Sequence, residues 1–511
     1  MTDSKNNNFG RILKSSSLLG ISSLINVLLG IIRVKVLAVQ LGPAFFGTIS
    51  LYTSFISTIG SVTSLGIGQS AVRDIAAAAE SGDEQGMARK VAVLHRVVWV
   101  TGIFGLIATV VLAVPGSFSV FGNYDHAWAI ALLAVIVLLT QIQTGQGALL
   151  SGLRRIGDIA KMNVIGGFLS TVLAIVLLLL LGEKGIVPFL IAVAVGQLAA
   201  SWWYARKVKV ASVQVSWREC IIESREMVHL GLTIVVSGMA GTISILISLS
   251  ILRGFEGESA VGLYQSAYTI SGIYVGFILQ AMSGDYYPRL AGIAGDRVLR
   301  NQAVNEQTEM AMLLAVPGLV AVLVVADILI PLLYSSRFDG ASEILRWQVL
   351  GMLGRIISWP LGFIIMARSD KVFMLIGEWL EATIFVTLVW LGVRFFGAVG
   401  AGMAFTGGNL WYLVWIIVIA KARHEFVMDK ATRNVVLIGF SFVVLGFGAT
   451  FIFSPVWRHV TGILILSIAM GWSLHGLVAR LGYERLMDRL QKIVGRNARL
   501  KLDWALSRFY R

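Results

Sequence analysis

Two arginines, Arg33 and Arg355, lie inside long apolar segments of this sequence, where charged side chains are rare and costly. On a helix, Asn26 shares the face of Arg33 two turns earlier. A guanidinium group offers planar donors that match two oxygens of a phosphate. The spacing therefore favours a positively charged, water-accessible site for an anionic group. A buried structural role for each arginine is the alternative.

Uncharged polar residues occur at helical spacing in other apolar segments. Ser57 belongs to a stripe of serines, Tyr264 and Tyr268 lie one turn apart, and Gln141 lies within the fourth segment. Hydroxyl and amide groups suit a hydrated sugar, but small polar residues also help helices to pack. We expect these residues, with Asn26 and both arginines, to line a hydrophilic cavity between two halves of a helical bundle.

Acidic residues inside apolar segments are fewer. Glu378 and Glu381 lie three positions apart on one helix face, and Asp327 lies in another segment. A carboxylate in such a place takes up protons or pairs with an arginine. We interpret the three as candidates for ion coupling, and a structural ion pair between Glu378 and Arg355 is the alternative. Arg346, close to a segment end, is expected to extend towards the membrane surface.

Signatures of catalysis are missing from the sequence. It contains no GxxxxGK[ST] phosphate loop, no HExxH pair and no GxSxG elbow, and Cys220 is its single cysteine. We therefore expect a protein that is not an enzyme and that has no catalytic residues, no metal site and no cofactor. Its energy source would be an ion gradient, the membrane potential or the substrate gradient.

The composition excludes a soluble globular protein. Hydrophobic residues make up 57% of the 511 positions and charged residues 14%, against about 25% charged residues in soluble domains. Since about 20 apolar residues cross a membrane as a helix, we predict an all-α polytopic membrane protein with fourteen spans. The predicted spans are 15–38, 44–66, 93–114, 127–150, 163–182, 186–204, 229–251, 262–283, 309–334, 344–366, 373–393, 399–420, 435–454 and 461–480.

The positions of lysine and arginine predict the orientation. With the N-terminus in the cytoplasm, 32 of the 42 basic residues fall in cytoplasmic segments, which predicts that both termini are cytoplasmic. The net charge of +14 then reflects these loops, so nucleic acid is not an expected partner.

An internal repeat divides the spans. Similar residues recur at an offset of about 215, for example Gly47 and Gly262 in matching contexts. Six spans separate the copies, so the two lobes form a parallel repeat. We predict an N-terminal lobe over 1–210, a C-terminal lobe over 216–425, an extra helix pair over 435–480 and a basic cytoplasmic tail over 481–511.

Three short motifs carry a resemblance to a known family. They are Leu41-Gly42-Pro43 followed by Phe46-Gly47, Leu65-Gly66-Ile67-Gly68 leading to Arg73, and Leu150-Ser151-Gly152-Leu153-Arg154. With the architecture of two lobes and two further helices, the sequence resembles the polysaccharide transporter and O-antigen flippase family. That family belongs to the multidrug, oligosaccharidyl-lipid and polysaccharide exporter superfamily.

The resemblance implies a function for the predicted cavity. It implies a bacterial inner-membrane flippase that moves an undecaprenyl-diphosphate-linked oligosaccharide to the periplasmic leaflet, for O-antigen, capsule or exopolysaccharide. It implies a cationic cavity at Arg33 and Arg355, contact with membrane lipids, and a polysaccharide polymerase and chain-length regulator as partners. The extra helix pair is similar to one that helps to form a lipid-tail groove in peptidoglycan-precursor flippases.

Two other functions compete with this interpretation. A drug or organic-cation antiporter of the same superfamily would place acidic residues in the spans of the first lobe, which contain none. A membrane scaffold that recruits partners through its basic tail would have no need of the polar span faces. Both alternatives are therefore disfavoured.

Overall fold

The structure is a computed structural model and describes residues 2–211, 213–368, 370–452 and 455–481, so most of the predicted tail over 481–511 lies outside the described residues. Within these ranges the chain forms thirteen α-helices and no β-strand. Long helices are expected, because lipid offers backbone groups no other partner. The helices are α1 (Thr2–Thr63), α2 (Ile67–Glu80), α3 (Glu84–Val111), α4 (Ala113–Phe121), α5 (Ala127–Gly152), α6 (Ile156–Leu181), α7 (Ile186–Ala205), α8 (Trp217–Gly292), α9 (Arg297–Leu333), α10 (Ala341–Ala367), α11 (Lys371–His424), α12 (Lys430–Ile452) and α13 (Pro455–Leu481).

Three of these helices, α1, α8 and α11, are each two spans joined at one non-helical glycine. Each half is long enough to cross the hydrocarbon core. When the halves are counted separately and the short helices α2 and α4 are set aside, the described part of the chain has fourteen spans. The prediction of an all-α membrane protein with fourteen spans is therefore confirmed.

Glycines with positive φ angles recur at a fixed spacing, at these joints and directly after α6. Gly42 and Gly257 have φ angles of +78° and +81° and lie 215 positions apart. Gly182 and Gly397, with φ angles of +55° and +59°, are also 215 positions apart. A residue with a Cβ is disfavoured at such angles. The spacing equals the offset of the predicted repeat, whose lobe boundaries stay a prediction.

Helix packing divides the described residues into two compact units, which we describe separately. The first unit comprises α1 to α7, the first part of α8 to residue 266, and residues 330–344 and 375–404. The second unit comprises residues 267–329, 345–374 and 405–481.

In the first unit, α1 and α8 cross at two glycines, Gly47 and Gly262. A Cβ on Gly47 would overlap the carbonyl group of Glu258, and a Cβ on Gly262 would overlap that of Pro43. The two contacts are equivalent under the repeat, because Pro43 and Glu258, like the two glycines, are 215 positions apart. Beside the crossing, the Thr48 hydroxyl donates a hydrogen bond of 2.6 Å to the Glu258 carboxylate. The two backbones therefore approach as closely as glycine allows.

The start of α8 also packs against other helices of the first unit. Ser216 and Glu219 form a capping box: the Glu219 N–H donates to the Ser216 hydroxyl at 3.2 Å, and the Ser216 N–H donates to the Glu219 carboxylate at 2.7 Å. These bonds lower the pKa of Glu219. Arg89 of α3 pairs with Glu219 at 3.0 Å and with Glu223. One residue after Glu219, Cys220 is buried among apolar side chains of α2, α3 and α5.

This packing predicts how Cys220 reacts. We expect a maleimide to label it far more slowly in the folded protein than in denaturant, because the thiol is 3% exposed and burial raises its pKa. Because its pKa is raised, Cys220 ionises at a higher pH than an exposed thiol. Its labelling rate should therefore still increase with pH where the rate of an exposed thiol has levelled off. Arg89→Glu should speed labelling severalfold, because it places like charges beside Glu219 and Glu223.

The matched control is Arg218→Glu, since Arg218 is exposed on the same turn of α8 and forms no ion pair with another described residue. Its labelling rate should equal that of the wild type. Equal labelling in folded and denatured wild-type protein would refute the packed position of the start of α8.

In the second unit, two carboxylates hold α12 and α13 against α9. Glu309 accepts a hydrogen bond of 3.0 Å from the hydroxyl of Thr432 on α12 and pairs with Arg480 on α13. Asp327, eighteen positions further along α9, pairs with Arg458 on α13. Since these ion pairs join opposite ends of α13 to α9, the predicted extra helix pair is attached along its length.

Asp327→Asn is expected to destabilise the protein by about 1–3 kcal/mol, since removing one partner of a half-buried ion pair leaves the other charge uncompensated. Here Arg458 and Arg346 would both lose their counter-charge, and the Arg346 side chain is only 9% exposed. The thermal melting temperature in detergent measures the effect. Glu343→Gln, an exposed position at the start of α10, is the control and should melt like the wild type. Equal melting of both variants would contradict a stabilising role for Asp327.

Candidate functional site

A polar cavity of about 430 Å³ lies in the first unit among α1, α6 and α7. We call it the Arg33 cavity, and its polar lining consists of Ser23, Asn26, Arg33, Asn163, Thr171 and Gln197. All of these residues belong to the predicted N-terminal lobe, because α6 and α7 present polar side chains to the polar face of α1. The cavity expected between the two lobes stays a prediction.

The α1 side of the cavity is built by helical spacing and one close contact. Asn26 and Arg33 lie two turns apart on the same face, as predicted from the sequence. The Asn26 Nδ2 donates a hydrogen bond of 3.0 Å to the carbonyl oxygen of Ser22. Its Oδ1 occupies the space that a side chain on Gly167 would fill. Asn26 therefore offers the cavity an acceptor, and Gly167 makes room for it.

Several polar groups of the Arg33 cavity are not used within the protein. No carboxylate lines the cavity, and Arg33 has no ion-pair partner among the described residues. Asn163, Thr171 and Gln197 make no side-chain hydrogen bond to another residue in the described ranges. Arg33, Asn163 and Gln197 are only half-buried, so their polar atoms remain accessible from the cavity. The cavity is therefore suited to hold water or a polar, anionic ligand.

Arg355 lies in the second unit, near the middle of α10, and its side chain is exposed. No described acidic residue of its own unit pairs with it. A charged side chain in hydrocarbon costs at least about 2.5–3.5 kcal/mol at the centre of a span. Its exposure therefore favours a water-filled space over lipid, and its substrate role stays a prediction.

The other predicted lining residues do not line the Arg33 cavity. Gln141 is buried and donates a hydrogen bond of 2.9 Å to the carbonyl oxygen of Gly60, which ties α5 to α1. Tyr264 is buried, and Tyr268 packs edge-on against a phenylalanine of α11. Ser57 is exposed in the first unit. Gln141 therefore has a packing contact in the structure, and the lining role of all four stays a prediction.

Among the acidic candidates, Asp327 has identified partners. Its two carboxylate oxygens each accept a hydrogen bond of 2.6 Å from Arg346, which is 8% exposed. Arg346 therefore does not extend to the membrane surface as expected, because Asp327 supplies a counter-charge inside the unit. Ion coupling at Asp327 would require these bonds to break. Glu378 and Glu381 are half-buried on α11, and their coupling role stays a prediction.

Sequence reasoning did not select Asn163, Thr171 and Gln197. A signal existed for α6, where Asn163, Gly167 and Thr171 follow one another at four-residue spacing and so share a face. Gln197 is a single amide in an apolar helix. Only the structure shows that it faces the same cavity.

Sequence comparison relates the chain to proteins of polysaccharide biosynthesis. Residues 12–294 match the family described as polysaccharide biosynthesis protein. The chain is 21% identical over 408 residues to the Lipid III flippase of Escherichia coli strain K12, covering 78% of this chain and 96% of that protein. It is 23% identical over 222 residues to a probable low-salt glycan biosynthesis flippase, Agl15, of Haloferax volcanii, covering 42% and 44%.

Solved structures share the fold at low sequence identity. An inward-facing multidrug resistance MATE family transporter of the MOP superfamily gives a TM-score of 0.67 at 16% identity, covering 80% of this chain and 96% of that one. The lipid II flippase MurJ in an inward closed conformation gives 0.64 at 14%, covering 91% and 99%. The protein is thus a multi-pass membrane transporter and not an enzyme, as predicted. Since the family match spans more than half of the chain, the protein belongs to the polysaccharide biosynthesis protein family.

Proposed function

We propose that the protein is a flippase that moves an undecaprenyl-diphosphate-linked oligosaccharide from the cytoplasmic to the periplasmic leaflet of a bacterial inner membrane. The observation that carries the proposal is Arg33, a guanidinium without a carboxylate partner among the described residues, in a cavity lined by amides and hydroxyls. The names of two relatives, a Lipid III flippase and a probable low-salt glycan biosynthesis flippase, support the same substrate class. O-antigen, capsule or exopolysaccharide assembly would use the product.

The chemistry of this substrate matches the site. A diphosphate and its sugars cannot cross hydrocarbon without polar partners. Arg33 can donate two parallel hydrogen bonds to a phosphate, and the amides can exchange hydrogen bonds with sugar hydroxyls. The polyprenyl chain stays in the lipid while the head group passes. Alternating access of two lobes, with both termini in the cytoplasm, completes the proposed mechanism.

The charge of the cavity disfavours the alternative of drug or organic-cation export. A cation needs a carboxylate or an aromatic cage as its partner. The lining of the Arg33 cavity contains one guanidinium and no acidic residue. The same field that attracts a phosphate therefore repels an organic cation.

The test is transport by the purified full-length protein in liposomes that contain undecaprenyl-diphosphate-linked trisaccharide. We expect the protein to make the glycan on the inner leaflet accessible to an external lectin, and empty liposomes to leave it protected. Cells that overproduce the protein should accumulate ethidium like control cells. Ethidium export without glycan translocation would replace this proposal by the antiporter.

The same liposomes test ion coupling. If Glu378 or Glu381 couples transport to an ion, an imposed proton or sodium gradient should change the translocation rate. Glu378→Gln or Glu381→Gln should then remove that response while leaving the rate without a gradient unchanged. Indifference of the wild type to both gradients would make these two residues structural.

A polymerase and a chain-length regulator are the proposed partners downstream of translocation.

A further inference from the structure

We propose that the Arg33 cavity holds two parts of the substrate on separate walls, with the phosphate on α1 and the first sugar on α6 and α7. The inference rests on the proposed function and extends it, because it assigns Asn163, Thr171 and Gln197 to recognition of the glycan. Arg33 would then recognise the anionic group that every lipid-linked glycan shares.

The placement of charge supports this division. Arg33 supplies the only formal charge in the described lining of the cavity, and it lies on α1. One guanidinium group matches the oxygens of one phosphate through two parallel hydrogen bonds. The neighbouring Asn26 is neutral, and one of its two Nδ2 hydrogens already bonds to Ser22. Arg33 therefore remains the single charged anchor for phosphate on α1.

The opposite walls, on α6 and α7, carry uncharged side chains that offer both hydrogen-bond donors and acceptors. Each side-chain amide of Asn163 and Gln197 offers two donors and one acceptor oxygen, and Thr171 offers a hydroxyl. These groups form no side-chain hydrogen bond with other described residues, so their capacity remains for a ligand. Sugar hydroxyl and acetamido groups also donate and accept at once. The pairing therefore fits a sugar better than it fits a second phosphate.

The size of the cavity limits what enters. Its volume of about 430 Å³ is in the lower part of the range of about 300–1,000 Å³ for small-ligand sites. A phosphate with the adjoining sugar fits this volume, whereas a complete oligosaccharide with its lipid does not. The rest of the glycan would extend out of the cavity, so the first sugar is the one that these residues select.

The experiment compares two lipids that differ only in the sugar: undecaprenyl diphosphate and undecaprenyl-diphosphate-N-acetylglucosamine. Dissociation constants are measured for the full-length protein in nanodiscs. We expect Arg33→Gln to weaken both lipids about 10- to 100-fold, in line with the loss of charge-assisted hydrogen bonds. Asn163→Ala and Gln197→Ala, singly and together, should weaken the sugar-bearing lipid up to about tenfold and leave undecaprenyl diphosphate unchanged.

Three controls make the outcomes distinct. Gln69→Ala removes an exposed amide of α2 outside the cavity and should change neither constant. Millimolar inorganic phosphate should not displace either lipid; displacement would show a site for free phosphate and overturn the assignment. Melting temperatures of all variants identify any that fail to fold. If the double amide variant fails to fold, the two single amide variants carry the comparison.

Two results separate the inference from the proposed function. Suppose that wild-type protein binds the sugar-bearing lipid, but that the amide variants bind both lipids equally more weakly, or bind both as the wild type does. The division into two walls is then overturned and the flippase proposal stands. If wild-type protein binds neither lipid, the proposed function itself fails.

Discussion

Arg33→Ala is expected to lower glycan export by about 10- to 100-fold, enough to remove most surface polysaccharide from cells that depend on this protein. The phosphate would lose its only cationic partner in the described lining of the cavity, and charge-assisted hydrogen bonds contribute about 1.5–3 kcal/mol. The same direction is expected for Arg355→Ala. Surface polysaccharide and the membrane level of the protein are measured together.

Two variants define the specificity of this effect. Lys184→Ala removes an exposed basic residue from the turn after α6 and should leave export unchanged. Arg33→Lys keeps the charge but not the planar pair of donors, so it should retain part of the activity. Normal polysaccharide in both Arg33→Ala and Arg355→Ala would remove these residues from the substrate path.

Alanine at Gly47 or at Gly262 is expected to destabilise the protein by about 2–3 kcal/mol and to stop transport. Each new Cβ would overlap a carbonyl group of the opposing helix, and a backbone cannot yield as a flexible side chain does. Overpacking of this kind costs about 1–3 kcal/mol. Melting in detergent and translocation in liposomes measure the two effects.

Matched alanine variants in the same two helices make this prediction sharp. Gly60 of α1 and Gly272 of α8 have no atom within 4 Å of the position that a Cβ would take. Because alanine favours a helix by about 1 kcal/mol over glycine, Gly60→Ala and Gly272→Ala should be neutral or stabilising. A similar gain in stability from alanine at Gly47 or Gly262 would show that the crossing of α1 and α8 is not tightly packed.

The number of spans was predictable because it depends on a local property. A run of apolar residues long enough to cross the membrane can be recognised from its own sequence, without knowing which helices pack against it. The joints were harder, since Gly42 and Gly257 turn the chain within one residue, where the sequence suggested loops. The short amphipathic helix α2 was missed for a related reason: it is too short to span.

The candidate site was predictable on one helix and not across three. Asn26 and Arg33 lie on α1, so helical spacing alone placed them together. Gln197 joins them from α7 only through packing, which one sequence does not reveal. The partners of Asp327 show the same limit, because Arg346 and Arg458 come from two other helices.

The two carboxylates of α9 have a consequence for the ancestry of the final helix pair. A chain cut before Lys430 would strip Glu309 of Arg480 and Thr432, and would take from Asp327 one of its two guanidinium groups. Glu309 would then keep none of these partners and Asp327 would keep only Arg346, and an unpaired carboxylate inside a helical bundle is costly. We therefore expect the acids of α9 and the basic residues of the final helix pair to be inherited together.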